Sequence, residues 1–164
     1  MGNVALIKCL GMESFAGDTM SYTEIPDDLI YVYRSAYYRA RLGHEAITLH
    51  VDQYSEPLAR LLAASGHRCA AFITACNPFG AAESHEMNMK ACLDLRKSLD
   101  RYVARQSQII EGEGIDPAGA WAAEKSFLVL GLNLETTKAL GKEFGQNAVV
   151  WIGTEAIPRL VLLR

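Results

Sequence analysis

The chain has 164 residues, 50% hydrophobic and 21% charged, with a formal net charge of −3 and a pI near 5.8. Those totals suit one globular domain and exclude the overall basic footprint of a protein that neutralises many phosphates, so no nucleic-acid partner is expected. No run approaches the ~20 apolar residues of a membrane span.

The chain opens with a short apolar piece at residues 4–10. Lys8 interrupts it and no basic stretch precedes it, so it does not read as a signal peptide. Residues 1–24 are expected to be a loosely ordered leader, with Met12 or Met20 as alternative starts, and residues 25–164 a single domain. Ile25-Pro26-Asp27-Asp28 predicts a helix entry, with Pro in the first turn and two acids favourable to the N-terminal dipole; Leu29, Val32 and Tyr33 give that helix an apolar side. Two strands follow, over 37–42 and 46–52, joined at Gly43-His44-Glu45. Ser55 predicts an N-cap, Leu58, Leu61 and Leu62 a buried stripe, and Gly66 a left-handed stop.

Residues 69–76, Cys-Ala-Ala-Phe-Ile-Thr-Ala-Cys, are apolar on both faces and predict a central strand, which Asn77-Pro78 ends. A long helix is expected from about Ser84, with Met87, Ala91, Leu95, Leu99 and Tyr102 as its buried face. Residues 107–111 read as a short strand and 112–125 as a loop holding Gly, Pro, Asp and Trp121. Residues 126–132 form a second strand apolar on both faces. Asn133 caps a helix that Gly145 ends, residues 148–152 form a strand, and residues 157–163 a last strand whose Pro158 predicts an edge.

Residues 69–152 therefore spell strand, helix, strand, strand, helix, strand. The expected fold is α+β, a two-layer sandwich on a ferredoxin-like (βαββαβ) core at 69–152, with an added N-terminal helix, β-hairpin and helix and a C-terminal edge strand. In such a unit the first and third strands lie at the centre, which suits the two most apolar segments. The unit also runs its first two strands one way and its last two the other, so chain ends can be sorted by side. Asn77, Glu111, Glu113, Glu124, Ser126, Gln146, Asn147 and the helix start at Ser84 and Asn88 all fall at one end.

That rim is the expected site. Glu111, Glu113 and Glu124 are the candidate acid-base residues. Asn77, Ser84, Asn88, Asp116, Trp121, Ser126, Gln146 and Asn147 are the candidate ligand-binding residues, and the ligand expected is small and polar or anionic, because a helix start offers free amides to an anion. Each also has a plainer role: acids in a Gly-rich segment are commonly solvated, Asn before Pro forms turns, and Trp121 can anchor a loop. The alternative to a binding or acid-base domain is a non-catalytic interaction or dimerisation module, a homodimer through a sheet edge included.

Sharper motifs fail. His85-Glu86-Met87-Asn88-Met89 starts like H-E-x-x-H but has Met89 where the second ligand belongs, and Gly112-Glu113-Gly114 leads to Pro117 and no helix, so no metal site and no cofactor loop is spelled. The four cysteines, Cys9, Cys69, Cys76 and Cys92, form no C-x-x-C pair and read as reduced core residues of a cytosolic protein. Lys97, Arg101 and Arg105 form a stripe that reads as a solvated face.

Three stretches carry a resemblance: FITACNP at 72–78, followed by Ser84 and Asn88, EGEGIDPAGAW at 111–121, and FGQNAVVW at 144–151. Over residues 29–162 the chain resembles a small bacterial family catalogued as a domain of unknown function. Cys76 stands where that family's pattern has a bulkier residue, often Trp, and Glu124-Lys125-Ser126 where it has Glu-Pro-Ser. The resemblance implies domain limits and a choice of residues, and no chemistry.

Overall fold

The computed structural model describes residues 22–164; the expected leader falls almost wholly outside them. The elements are α1 (Asp27–Ser35), β1 (Tyr37–Leu42), β2 (Glu45–Leu49), α2 (Glu56–Ser65), β3 (Ala70–Thr74), α3 (His85–Leu99), β4 (Ile109–Ile115), β5 (Glu124–Leu130), α4 (Leu134–Glu143), β6 (Ala148–Ile152) and β7 (Pro158–Leu162). Local chemistry sets the helix ends. Ser55, Ser84 and Asn133 each accept a bond from a first-turn backbone N–H, at 3.3, 3.2 and 2.8 Å, and Gly66 closes α2 in the left-handed region at φ 72°.

The strands form one antiparallel sheet in the order β2-β1-β4-β5-β3-β6-β7. The two most apolar strands, β3 and β5, are neighbours in its middle, and β7, which starts with Pro158, is an edge. The sheet curls. At the far end of β2, the Asp52 N–H donates to the Pro158 carbonyl at 2.8 Å and the Ser55 N–H to the Ala156 carbonyl at 3.0 Å, so the chain leaving one edge meets the start of the other.

The alternation of strand side chains divides the core in two. On one face Ala70, Phe72, Leu128, Leu130 and Ile152 pack with Leu58 and Leu62 of α2. On the other, Ala71, Ile73, Phe127 and Val129 pack with Leu95 and Leu99 of α3 and Leu140 of α4. Helices thus cover both faces of the sheet, α3 and α4 on one and α2 on the opposite, concave one.

Two sequence expectations need correction. Residues 112–115 belong to β4, not to a loop: Gly112 pairs with Ser126, Glu113 with Lys125 and Gly114 with Glu124. The segment hides as a strand because its period of two is acid and glycine rather than polar and apolar. Gly112 shares the face of Ala40 and Ser126, where a Cβ would stand 2.5 Å from the Arg39 carbonyl and 3.1 Å from the Phe72 ring. A missing side chain is what that face needs. The buried face of α3 is Cys92, Leu95 and Leu99; Met87 and Tyr102 are exposed, because the first turn reaches past the core and the helix stops before residue 102.

Candidate functional site

A cavity of about 310 Å³ opens on the concave face, at the end of the sheet where β3 stops and β5 and β6 start. Phe72 and Thr74 of β3, Gly114 of β4 and Ser126 of β5 form its floor, Leu29 and Tyr33 of α1 close one side, and Trp121 closes another. Four aromatic rings, Tyr33, Tyr38, Phe72 and Trp121, border the cavity, with Tyr38 edge-on to Phe72 at 5.3 Å between centroids. Among the described residues no Lys, Arg or His lines it.

Among the described residues Glu124 is the one carboxylate in the wall. Among the described residues it has no ion-pair partner, and its carboxylate takes one hydrogen bond, from Asn77 Nδ2 to Oε1 at 2.6 Å. Burial pushes its pKa above the ordinary carboxyl value, and the Asn77 bond only partly opposes that rise.

Asn77 is itself locked. Its backbone sits in the left-handed region at φ 47°, a conformation that Asn tolerates better than other side chains. Its Oδ1 accepts from the Glu83 N–H at 3.0 Å and from Asn88 Nδ2 at 2.9 Å, while Asn88 Oδ1 accepts from the Asn77 N–H at 2.8 Å. Since the Glu83 amide can only donate, the Asn77 carbonyl oxygen must face it, and the NH2 group is thereby turned toward Glu124. The segment after β3 thus orients the carboxylate through a three-point clamp.

Two further groups offer hydrogen bonds. The Tyr33 hydroxyl accepts from Asn147 Nδ2 at 3.1 Å, and its own proton has no acceptor among the described residues. Burial raises the Tyr33 pKa, with the Glu124 charge adding to the rise. The Trp121 indole N–H is buried and finds no acceptor, an arrangement that costs about 1–3 kcal/mol when nothing fills it.

The expected rim residues divide. Asn77, Trp121, Glu124, Ser126 and Gln146 line the cavity. Ser84 caps α3, Asn88 holds Asn77, and Asn147 holds Tyr33. Gln146 spends its amide on the Cys76 and Phe144 carbonyls, and Ser126 donates to the Glu124 carbonyl at 3.0 Å. Asp116 is buried as the stop of its own turn, accepting from the Ala118 and Ala120 amides at 2.9 and 2.6 Å. Glu111 and Glu113 lie on the opposite face of the sheet, paired across strands with Phe127 and Lys125. There Glu111 meets Lys125 at 3.5 Å and Glu113 meets Arg39 at 3.6 Å. The expected trio of acids is therefore not one constellation.

Sequence reasoning missed Tyr33, Tyr38 and Thr74 as wall residues, and it missed a contact between Cys76 and Cys92. The apolar side of α1 held the signal for Tyr33; nothing local pointed to the cysteine pair. Among the described residues no three or more His, Cys, Asp or Glu side chains gather as a metal site would require.

Fold and cavity together define a small α+β domain with a carboxylate set in a pocket that four aromatic rings border. Residues 73–149, a little under half of the chain, match the model of a family described as "Protein of unknown function (DUF3293)". That match covers β3 to the start of β6, including Asn77, Trp121 and Glu124, and agrees with the family resemblance read from the sequence. No curated protein and no solved structure matches the chain.

Proposed function

We propose that the cavity binds a small polar molecule, neutral or cationic, and that Glu124 exchanges a proton or a hydrogen bond with it. The observation that carries this is Glu124 itself, a carboxylate held in a cavity wall by a dedicated Asn with no cation beside it. A group kept above the ordinary carboxyl pKa by burial is suited to general acid-base work near neutral pH. The volume lies at the lower end of the range usual for small-molecule sites, and aromatic walls suit a flat or cationic ligand. An anionic ligand is the poorer fit, because among the described residues the lining has an acid and no base.

The test is a thermal-shift screen of small amines, neutral amides and carboxylic acids on the wild type, on Glu124→Gln and on Asn77→Ala. Gln keeps an oxygen for the Asn77 donor, so its fold is preserved while its charge is lost. The reading expects stabilising amines or amides whose effect shrinks in both variants. Stabilisation by carboxylic acids alone, or equal stabilisation of all three proteins, sinks it. The alternative of a non-catalytic interaction or dimerisation module has no comparable observation behind it.

The order β4-β5-β3-β6 with every neighbour antiparallel, and α3 and α4 on one face, supports a ferredoxin-like two-layer core at 69–152. Cys69, Cys76 and Cys92 are free thiols, which supports a reducing, cytosolic location. None of the described helices is long and apolar enough to cross a membrane.

A further inference from the structure

The sulfurs of Cys76 and Cys92 are 3.4 Å apart, although the residues are 16 positions apart in sequence. The pair sits where β3 ends against α3, and both sulfurs also lie 3.6 Å from the Lys125 carbonyl. Two features distinguish it from ordinary core filling. Cys76 lines the cavity described above, whereas Cys92 lines a separate cleft of about 60 Å³ on the other face of the sheet. The two thiols thus border different spaces, and the larger one is on the Cys76 side. The cavity has room for several water-sized molecules at about 30 Å³ each. Cys76 is only 5% exposed, so bulky reagents are held off.

We propose that Cys76 and Cys92 form a redox-active dithiol in which Cys76 reduces a small hydroperoxide delivered through the cavity and Cys92 resolves the product to a disulfide. In the first step the Cys76 thiolate attacks one peroxide oxygen. An S–O bond forms, the O–O bond breaks, and the other oxygen leaves as an alcohol, or as water from hydrogen peroxide, carrying the proton lost by Cys76. Cys76 becomes a sulfenic acid. In the second, Cys92 sulfur attacks the sulfenic sulfur, an S–S bond forms, and hydroxide leaves as water with the Cys92 proton. In sum, two thiols and one hydroperoxide yield one disulfide, one alcohol and one water. The sulfurs together lose two electrons and the peroxide gains them, and an external dithiol returns the pair to its starting state.

The division of labour agrees with the local chemistry. The hydrogen bond from Cys92 lowers the Cys76 thiol to about 7 against the opposing effect of burial, while Cys92 is pushed up because it holds the shared proton. A thiol that ionises near ambient pH combines thiolate population with nucleophilicity. The sulfurs need to close from 3.4 Å to a bonded ~2.05 Å.

The experiment treats the reduced full chain with hydrogen peroxide and maps its peptides without reduction. The expected product has lost two hydrogens, contains a peptide linking Cys76 to Cys92, and reverts with dithiothreitol. Cys92→Ser should stop at a Cys76 sulfenic acid that dimedone traps, and in Cys76→Ser, Cys92 should stay unmodified. A bulky maleimide should label the half-buried Cys69 and leave Cys76 unlabelled. The proposal is overturned by a disulfide joining any other pair, by Cys76 and Cys92 both remaining thiols in the peroxide-treated wild type, or by a dimedone adduct on Cys92 in Cys76→Ser. The wild-type map decides even if a serine variant fails to fold. The linked peptide is expected with no amine or amide present, so failure of the ligand reading is separable from failure of this one.

Discussion

The two faces of the sheet, compared at the end where β3 meets β5, use the same strands for opposite purposes. On the convex face α3 and α4 seal Phe127 and leave only a 60 Å³ cleft, and the acids Glu111 and Glu113 stand toward solvent, opposite Lys125 and Arg39. On the concave face no helix covers that end fully, a 310 Å³ cavity remains, and Glu124 stands in its wall without a cation. Lys125 shows how little separates them: one residue along β5 from Glu124, it points through to the other side. An acid's chemistry here depends less on its neighbours in sequence than on which side of the sheet the pleat assigns it.

The largest effect that tests this contrast is in the core. Phe127→Ala should cost about 3–5 kcal/mol, because the ring is buried in the core that α3 and α4 cover. Phe72→Ala should cost less, because that ring borders space that is already empty. Paired urea denaturation curves measure the difference, and equal losses would mean that the cavity is not open in solution.

Next in size is the clamp. Asn77→Ala should cost about 2–3 kcal/mol, combining a left-handed backbone that Ala tolerates poorly with the loss of three side-chain hydrogen bonds. Asn77→Gly should recover the backbone part only. Chemical denaturation separates the two, and full recovery by Gly would show that the bonds to Glu124 and Asn88 contribute nothing.

The glycines of β4 offer a matched pair. Gly112→Ala should destabilise by about 1–3 kcal/mol, since its Cβ meets Arg39 and Phe72. Gly114→Ala, whose nearest neighbour is Ser126 Oγ at 3.9 Å, should stay within about 0.5 kcal/mol and yet narrow the cavity. Its signature is weaker binding of any ligand from the screen at unchanged Tm.

The smallest effects are electrostatic. Because burial raises the Glu124 pKa in the folded state, folding takes up a proton between the unfolded and folded values, and stability falls as pH rises through that interval. Glu124→Gln should therefore be more stable than the wild type at neutral pH, and the gain should vanish as pH drops below the ordinary glutamate range. Glu111→Gln, exposed and opposite Lys125, should change stability by no more than about 0.5 kcal/mol at either pH. Melting curves at both ends of the range check the pair, and a pH-dependent gain in the Glu111 variant would erase the distinction between the faces.

What the sequence determined by itself is what short-range chemistry decides. Ser55, Gly66, Ser84, Asn133 and Gly145 mark helix ends because caps and left-handed stops act within a few residues, and the unbroken apolar runs of β3 and β5 announce strands covered on both faces. Element order then sorted Asn77, Glu124 and Gln146 to one end of the sheet before any coordinates. Tertiary structure alone decided which face each acid joined, because register reverses every side chain when it slips by one residue. It also decided that Glu111-Gly112-Glu113-Gly114 is a strand, that α1 brings Tyr33 over the β3 end, and that Cys76 meets Cys92. Those facts depend on pairing and packing between segments far apart in the chain, which no local pattern encodes.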